Sequence, residues 1–443
     1  MLSPQQAADR AADLVARARA AGADAADAVY SADASTAVQV RMGALEDVGR
    51  SENADMALRV FVGRRSASVA TSDLSADAVA ALVDRAVAMA RLAPEDPWAG
   101  LAPADRLLKG NPPELDLDDG GDPAPDLLKA RALAVEEAAR AVPGVTISDG
   151  GSASASRSTV AIATSHGFAH GYGVSGYSLS ASMLAGKGGA MQRDWASHSA
   201  RHQSLLESAE TVGRRAGERT VARLDPGRID SGAMPVVFDP RVSGGLVGHL
   251  VSAIAGSAIA RRTSFLLDAL GTPVFAPGVV IADDPHRPRG LRSRPFDGEG
   301  LPVSPVRIID DGVLQTWLLD SASARQLGLE PTGHASRGGV STSNLAMLAG
   351  PTPRDTLIGE IARGVYIVEL MGQGVNGVTG DYSRGAAGFL IEDGRITRPV
   401  AEFTIAGNLR TMFAELTPAS DLEYRHGVNA PTVRIDGMTV AGG

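Results

Sequence analysis

Apolar residues repeat at helical spacing in several stretches of the first half of the chain. They predict helices over residues 4–21, 126–142 and 200–223, and a further helix that ends at Met89 after a cap at Ser75 or Asp77. Short apolar and β-branched runs predict strands over residues 28–31, 36–41, 56–62 and 66–70, and a strand-rich segment over 145–184. This alternation indicates an N-terminal αβ region with mixed or antiparallel sheets.

The second half of the chain is richer in strand and turn signals. A strand over residues 234–238 is followed by Asp239-Pro240, a helix start with Asp as N-cap and Pro at the first helical position, and the helix is predicted to run to about Arg262. Asp-Gly pairs flanked by apolar alternation then predict hairpins at Asp311-Gly312, Asp393-Gly394 and Asp436-Gly437. The fold class is therefore α+β, with a β-rich C-terminal domain.

Two breaks in the pattern divide the chain. Residues 93–125 are punctuated by prolines and carry an acidic run, which is typical of a linker or surface loop. Residues 224–227 read Leu-Asp-Pro-Gly, a turn. Since 443 residues are too many for one ordinary core, we expect an αβ subdomain at 1–92, the linker, a second αβ subdomain at 126–227 and the C-terminal domain at 228–443.

Composition narrows the classes of function. The net charge of −9 and the 4% aromatic content do not fit a nucleic-acid-binding surface. The absence of cysteine excludes disulfides and thiolate metal ligands. The first 24 residues lack the apolar core of a signal peptide, and the most apolar stretch, 246–260, is too short to cross a bilayer. We expect a cytoplasmic protein that binds neither nucleic acid nor membrane.

The predicted helix after Pro240 carries one face of small and polar residues. Its members are Gly245, His249, Ser252, Gly256 and Ala260. Such a face allows a backbone or a bound peptide to approach closely. The alternative is a buried helix that packs tightly against a sheet, with His249 hydrogen-bonded in place.

Two histidine pairs have the spacing of metal ligands. Asp194, His198 and His202 would share one face of a helix, although a solvated helix face or loop is the simpler interpretation. His166 and His170 lie in a strand-like stretch, where a spacing of four places the side chains far apart, so they are interpreted as surface histidines.

The segment Met371–Phe389 is the densest functional signal. Five glycines lie between Gly372 and Gly385, and polar residues stand among them. Glycine permits positive φ and close backbone approach, so the segment could form a shaped binding loop. A wide turn before the next hairpin is the alternative.

At these residues the chain resembles the TldD/PmbA family, in its PmbA (TldE) branch. The resemblance is strong over the second half of the chain and looser at MQRDW (191–195) and in the N-terminal part. The similar blocks are GHLVSAIAGSAIARRTSFL (248–266), RPFDGEG (294–300), LLDSASARQLGLEPTGHASRG (318–338), ELMGQGVNG (369–377) and GVTGDYSRGAAGFLIEDGRI with PVAEFTIAGNL (377–409).

The resemblance implies a complex of one TldD-like and one PmbA-like subunit. In the TldD-like branch, an HExxxH helix and a later cysteine hold zinc. Here Gly248 and Ala253 stand at the two histidine positions, and the chain has no cysteine. The resemblance therefore implies no catalytic residue and no metal in this chain, with zinc in the partner subunit.

The expected function is that of a non-catalytic peptidase subunit, which completes a cleft for unfolded peptide in proteolysis and peptide maturation. The expected substrate or partner cleft contains His249, Arg261, Arg262, Asp381, Tyr382, Ser383 and Arg384. Alone, the chain could form a homodimer. The alternatives are a regulatory protein of the DNA gyrase modulator type and a self-sufficient hydrolase that uses an unrecognised metal site such as Asp194, His198 and His202.

Overall fold

The computed structural model describes residues 1–442, which form an α+β fold as predicted. The helices are α1 (Pro4–Ala20), α2 (Ala76–Leu92), α3 (Pro125–Arg140), α4 (Ala209–Ala222), α5 (Pro240–Ala253), α6 (Gly256–Ala260), α7 (Ser321–Leu327), α8 (Arg354–Gly359) and α9 (Leu409–Glu415). The strands of the first half are β1 (Ala25–Arg41), β2 (Ala44–Val62), β3 (Arg65–Thr71), β4 (Val145–Thr164), β5 (Ala169–Ala185) and β6 (Gln192–Ala200).

The strands of the second half are shorter and more numerous. They are β7 (Gly232–Phe238), β8 (Ile281–Asp284), β9 (Val306–Asp310), β10 (Val313–Leu314), β11 (Ala335–Ser336), β12 (Gly339–Val340), β13 (Asn344–Met347), β14 (Arg363–Val375), β15 (Asp381–Glu392), β16 (Arg395–Asn408), β17 (Thr417–Pro418), β18 (Val428–Asn429) and β19 (Val433–Ala441). Among residues 1–442, no helix is long and apolar enough to cross a membrane.

The first six strands form one antiparallel sheet in the order β3-β2-β1-β4-β5-β6. Strands from residues 1–92 and from 126–227 therefore join in a single sheet. One core lies between this sheet and helices α1 and α2, around Leu14, Leu58 and Leu82. A second core lies beneath helices α3 and α4, around Leu128 and Met183.

Two predicted elements of this half are wrong in extent. Residues 28–31 and 36–41 belong to one strand, because β1 pairs with β4 without a break from Asp27 to Val40. The helix predicted to begin at residue 200 begins at Ala209, where the side chain of Ser208 accepts a hydrogen bond from the Thr211 amide. Residues up to Ala200 are instead the end of β6, held by pairing with β5.

The proline-rich segment 93–124 packs against the C-terminal half. It contains only a short 3-10 turn, Ala104–Arg106, yet it buries several apolar side chains: Leu101, Ala102, Leu107, Leu115 and Leu117. The guanidinium of Arg325 donates hydrogen bonds to three carbonyl groups of this segment, those of Trp98, Gly100 and Leu101. The segment is therefore fixed to the second half of the chain.

The C-terminal half is built around a closed sheet. Its strand order is β16-β15-β14-β7-β19-β17, and a further pairing of β16 with β19 closes the ring. A second sheet has the order β10-β9-β8-β13-β18. Helix α5 packs against both sheets, so that Leu246, Val247 and Leu250 are fully buried in the largest core of the described residues.

Two of the three Asp-Gly hairpins are confirmed. Asp311-Gly312 and Asp393-Gly394 have positive φ at both residues, at 49° and 79° and at 47° and 75° respectively, as a tight hairpin turn requires. The third prediction is wrong. Asp436-Gly437 lies inside β19, where the pairing with β7 skips from Ile435 to Met438 as a bulge.

The long helix predicted from Pro240 to Arg262 is broken into α5 and α6. The break follows Ala253, and the Gly256 amide then donates to the Leu318 carbonyl at 2.8 Å. A Cβ atom at Gly256 would lie 2.3 Å from the Ser323 hydroxyl oxygen, so the close packing of α6 on α7 requires glycine there. The tertiary contact therefore overrides the continuous helical pattern.

Candidate functional site

The start of α5 is fixed by a network around Asp239. Its carboxylate accepts hydrogen bonds from the Arg241 amide at 2.9 Å and from the Tyr366 hydroxyl at 2.8 Å. Arg241 also forms an ion pair with the buried Asp194 of β6 at 3.1 Å. This network confirms the predicted helix start and ties α5 to the N-terminal sheet.

His249 lies half-buried two turns further along α5. Its ring contacts the Tyr382 ring edge-on, with ring centres 5.8 Å apart and planes at 77°. Burial lowers the pKa of His249, and the positive charge of Arg384 lowers it further. The imidazole therefore favours its neutral form, which can both donate and accept a hydrogen bond.

Tyr382 is almost fully buried beside His249. Only 2% of its surface is exposed, and its hydroxyl has no hydrogen-bond partner among the protein atoms of the described residues. Burial raises the pKa of Tyr382 to about 12, although Arg384 opposes that shift. The phenol is therefore neutral, and its buried hydroxyl makes no hydrogen bond within the described chain.

The remaining residues of the predicted cleft lie along the start of β15. Arg384 is half-buried and donates through Nε to the Met371 carbonyl at 3.2 Å. Ser383 is exposed. Asp381 is exposed and accepts hydrogen bonds from Thr379 at 2.6 Å and from Asn408 at 3.2 Å, and these two bonds lower its pKa.

Arg261 and Arg262 end helix α6, and both are exposed. Neither forms an ion pair within residues 1–442, and Arg262 has a positive φ of 57°. The following loop is fixed to the β14–β15 turn, because the Phe265 amide donates to the Gly377 carbonyl at 2.8 Å. The backbone after α6 therefore adjoins the glycine-rich segment.

The structure thus brings His249, Tyr382 and Arg384 into one cluster and leaves Asp381 and Ser383 on the exposed part of the same strand. The glycine-rich segment is the two arms and the turn of the β14–β15 hairpin, with the turn at 376–380. The segment therefore forms a hairpin itself, and it is not the wide turn before the next hairpin that was the alternative prediction.

The predicted shared helical face of Asp194, His198 and His202 is wrong. Asp194 and His198 lie on β6, where residues four apart are separated by roughly 13 Å, and His202 lies beyond its end. Each side chain has its own partner: Asp194 binds Arg241, His198 Nδ1 accepts from the Glu207 amide at 3.2 Å, and His202 Nε2 lies 2.9 Å from the Asp116 carbonyl.

The other possible metal ligands are equally dispersed. His166 contacts the Ala102 carbonyl through Nδ1 at 3.0 Å, and His170 packs against Phe168. On α5, Gly248 and Ala253 offer no side-chain ligand atom. Within residues 1–442 no group of three or more His, Cys, Asp or Glu side chains lies close enough to hold a metal ion.

The structure also shows a cavity that sequence patterns did not indicate. It has a volume of 570 Å³ and lies where β6 and α4 meet the C-terminal half, with Arg219, Arg241 and Arg354 in its wall. These residues come from three distant segments of the chain. Two other parts of the lining carried a signal in the sequence: the Asp239-Pro240 helix start, and Trp195 at the end of the MQRDW block.

Comparison with known proteins places this architecture in a family. Three models of one family match along the chain: PmbA/TldA metallopeptidase domain 1 at residues 26–90, the central domain at 118–224 and the C-terminal domain at 231–442. Together they span most of the sequence, including α5 and the β14–β15 hairpin.

Relatives and solved structures agree with these matches. The chain is 38% identical to metalloprotease PmbA of Escherichia coli O157:H7, covering 95% of this chain and 92% of that protein. A PmbA homologue of Haemophilus influenzae is 36% identical, covering 91% and 89%. A Bacteroides thetaiotaomicron protein described as a candidate modulator of DNA gyrase superposes with a TM-score of 0.91 at 28% identity over 98% of each chain. TldE of Thermococcus kodakarensis shares the fold, with a TM-score of 0.86 at 20% identity over 97% of this chain and 99% of that one. This chain therefore belongs to the PmbA/TldD metallopeptidase family, in its PmbA branch.

Proposed function

We propose that this chain is the subunit of a two-chain TldD/PmbA peptidase that holds no zinc and completes the cleft for an unfolded peptide. The observation that carries the proposal is the composition of α5. His249 is its one histidine, and the resemblance implies that Gly248 and Ala253 stand where the zinc-binding branch has its two histidine ligands. Hydrolysis of an amide by bound zinc requires side chains that hold the metal and a water molecule that the metal activates.

The cluster on β15 supports a role in holding peptide. The neutral imidazole of His249 and the guanidinium of Arg384 lie together, and Arg384 contacts the exposed outer part of β14, Met371–Gly374, which pairs with β15 on one side and with no strand of residues 1–442 on the other. These groups can hydrogen-bond to backbone carbonyls without regard to the peptide's sequence. A peptide bound in this way could add as a further strand.

The partner in this proposal is a TldD-like chain. A TldD homologue of Haemophilus influenzae is 28% identical over 48% of this chain, and the fold is that of a protein named TldE. A cytoplasmic location, expected from the cysteine-free composition, is part of the same proposal.

Reconstitution with a TldD-like protein that carries HExxxH tests the proposal. We expect the isolated chain to contain no stoichiometric zinc and to leave an unstructured peptide uncleaved, and we expect the mixture to form a complex that cleaves it. Arg384→Ala should lower cleavage at an unchanged melting temperature, because the cluster then loses its charged donor. Arg395→Ala, an exposed arginine at the other end of the β15–β16 hairpin, is the matched control.

Four outcomes would contradict the proposal. The two proteins could elute separately at micromolar concentration. The isolated chain could bind zinc that is lost on His198→Ala or His202→Ala, which would support a self-sufficient hydrolase. Arg384→Ala could leave cleavage unchanged, which would assign the hairpin to architecture alone. Capture of gyrase rather than a TldD-like chain would favour the regulatory alternative.

A further inference from the structure

The 570 Å³ cavity between the two halves of the chain is lined by both charged and apolar groups. Its volume falls within the range of ligand pockets, which is about 300–1,000 Å³. Apolar surface comes from the side chains of Trp195, Pro240, Pro353, Tyr366 and Ala430. The cavity is therefore large enough for a small organic ligand and offers it both apolar and ionic contacts.

Nearly all the carboxylates of the cavity wall are already bound. Asp239 binds Arg241 and Tyr366, Glu423 binds Arg425, and Asp421 accepts from both the amide and the hydroxyl of Thr432. The fourth, Asp355, is exposed in the first turn of α8. Because it is solvated, its charge is screened from the interior of the cavity.

Two arginines of the wall have no carboxylate partner within the described chain. Arg219 on α4 is half-buried, and its one hydrogen bond goes to the Trp195 carbonyl at 3.3 Å. Arg354 lies over the Tyr366 ring at 5.0 Å, and its Nε is buried without a hydrogen-bond partner.

The setting of Arg219 shows that its charge is poorly compensated. Burial lowers its pKa to about 10 and repulsion from Arg241 acts in the same direction, and together they outweigh the opposing attraction of Asp239 and Asp194. A partly buried guanidinium of this kind gains more free energy from binding an anion than a fully solvated guanidinium does.

We propose that this cavity binds the carboxylate of a small organic ligand, such as the C-terminus of a peptide, with Arg219 as its principal donor. A guanidinium matches a carboxylate by two parallel hydrogen bonds. A single charge fits better than a phosphate dianion, because the wall also holds four carboxylates. The choice of a peptide as the carrier rests on the proposed function, whereas the carboxylate site rests on the cavity alone.

Calorimetric titration of the isolated chain tests this site without any partner subunit. The probes are acetyl-trialanine with a free C-terminal carboxylate and the same peptide with a C-terminal amide. We expect the acid to bind at least tenfold more tightly than the amide. Arg219→Gln should weaken binding of the acid about tenfold and leave the amide unchanged, and Arg219→Lys should restore part of the loss, because it keeps the charge without the planar fork.

Arg214→Gln is the matched control, because Arg214 lies on the same helix, is exposed, and pairs with Glu218 at 3.7 Å. It should bind like the wild type. If Arg219→Gln lowers the melting temperature, Arg354→Gln replaces it, and the same loss is expected. Equal binding of acid and amide, or unchanged binding by a stable variant, would overturn the site. Displacement by inorganic phosphate at a lower concentration than by acetate would overturn the carboxylate assignment. None of these results depends on complex formation, so this proposal and the proposed function fail separately.

Discussion

The network at the start of α5 allows one interaction to be isolated by a double-mutant cycle. Asp239 caps the helix by accepting a hydrogen bond from the Arg241 amide, and it accepts a second hydrogen bond from the hydroxyl of the buried Tyr366. Burial and the neighbouring Asp239 charge raise the pKa of Tyr366, so that hydroxyl is always a donor. We predict that Asp239→Ala is costly in the wild type and much less so in a Tyr366→Phe background.

The magnitude follows from the two roles of the carboxylate. Loss of an N-cap costs about 1 kcal/mol in the free energy of unfolding. Leaving the Tyr366 hydroxyl buried and unpaired costs a further 1–3 kcal/mol or so. Asp239→Ala should therefore cost about 2–4 kcal/mol alone and about 1 kcal/mol when Tyr366→Phe has already removed the hydroxyl. Asp239→Ala also removes the contact between Asp239 and Arg241, although Arg241 keeps its ion pair with Asp194. This loss occurs in both backgrounds, so it cancels from the coupling energy.

Urea unfolding of the four proteins, followed by circular dichroism, gives the coupling energy directly. Ser208→Ala, which removes the cap of α4 and a hydrogen bond to the Thr211 hydroxyl, serves as the control and should cost about 1 kcal/mol. If Asp239→Ala costs the same in both backgrounds, the hydrogen bond to Tyr366 contributes nothing and the reasoning is refuted.

Two further predictions concern pH and packing. Burial alone would raise the pKa of Glu207, but hydrogen bonds from two arginines outweigh burial and lower the pKa from its ordinary 4.5 to about 2. The ionised carboxylate therefore stabilises the folded protein above pH 4.5, and this stabilisation is lost as the pH falls from 4.5 towards 2. Glu207→Gln should flatten the melting temperature over this window, whereas Glu218→Gln, an exposed control on α4, should follow the wild type. Gly388→Ala would place a Cβ 1.9 Å from a carbonyl oxygen of the neighbouring strand and should cost roughly 1–3 kcal/mol or more in unfolding free energy. Gly245→Ala, in open space on α5, should instead stabilise the protein by about 0.5–1 kcal/mol; equal melting temperatures for the two variants would contradict the packing.

Local chemistry explains which elements the sequence predicted well. The cap at Ser75, the Asp239-Pro240 helix start and the Asp-Gly turns at 311–312 and 393–394 each depend on one residue bonding to its close neighbours or adopting positive φ. Such features need no distant partner, so they can be recognised from residues adjacent in the chain. The family blocks around α5 and β15 likewise drew attention to the region where His249, Tyr382 and Arg384 lie together.

Distant contacts decided the rest. The break between α5 and α6 depends on the approach of Leu318 and Ser323 to Gly256, and Asp436-Gly437 became a bulge because β7 pairs on both sides of it. Pairing with β5 made residues 192–200 a strand, which separated the histidines that helical spacing had placed on one face.

The candidate site shows the same division between what local chemistry predicts and what distant contacts decide. The sequence identified His249, Tyr382 and Arg384 as candidates from their family blocks, but only the packing of α5 against β15 places the His249 and Tyr382 rings in contact and buries the phenol. The arginines of the cavity carried no signal in the sequence, because burial and the absence of a carboxylate partner are properties of the folded chain. Residue type and spacing fix local hydrogen bonds, whereas the pKa shifts of His249, Tyr382 and Arg219 arise from burial, which requires segments far apart in the sequence to exclude water together.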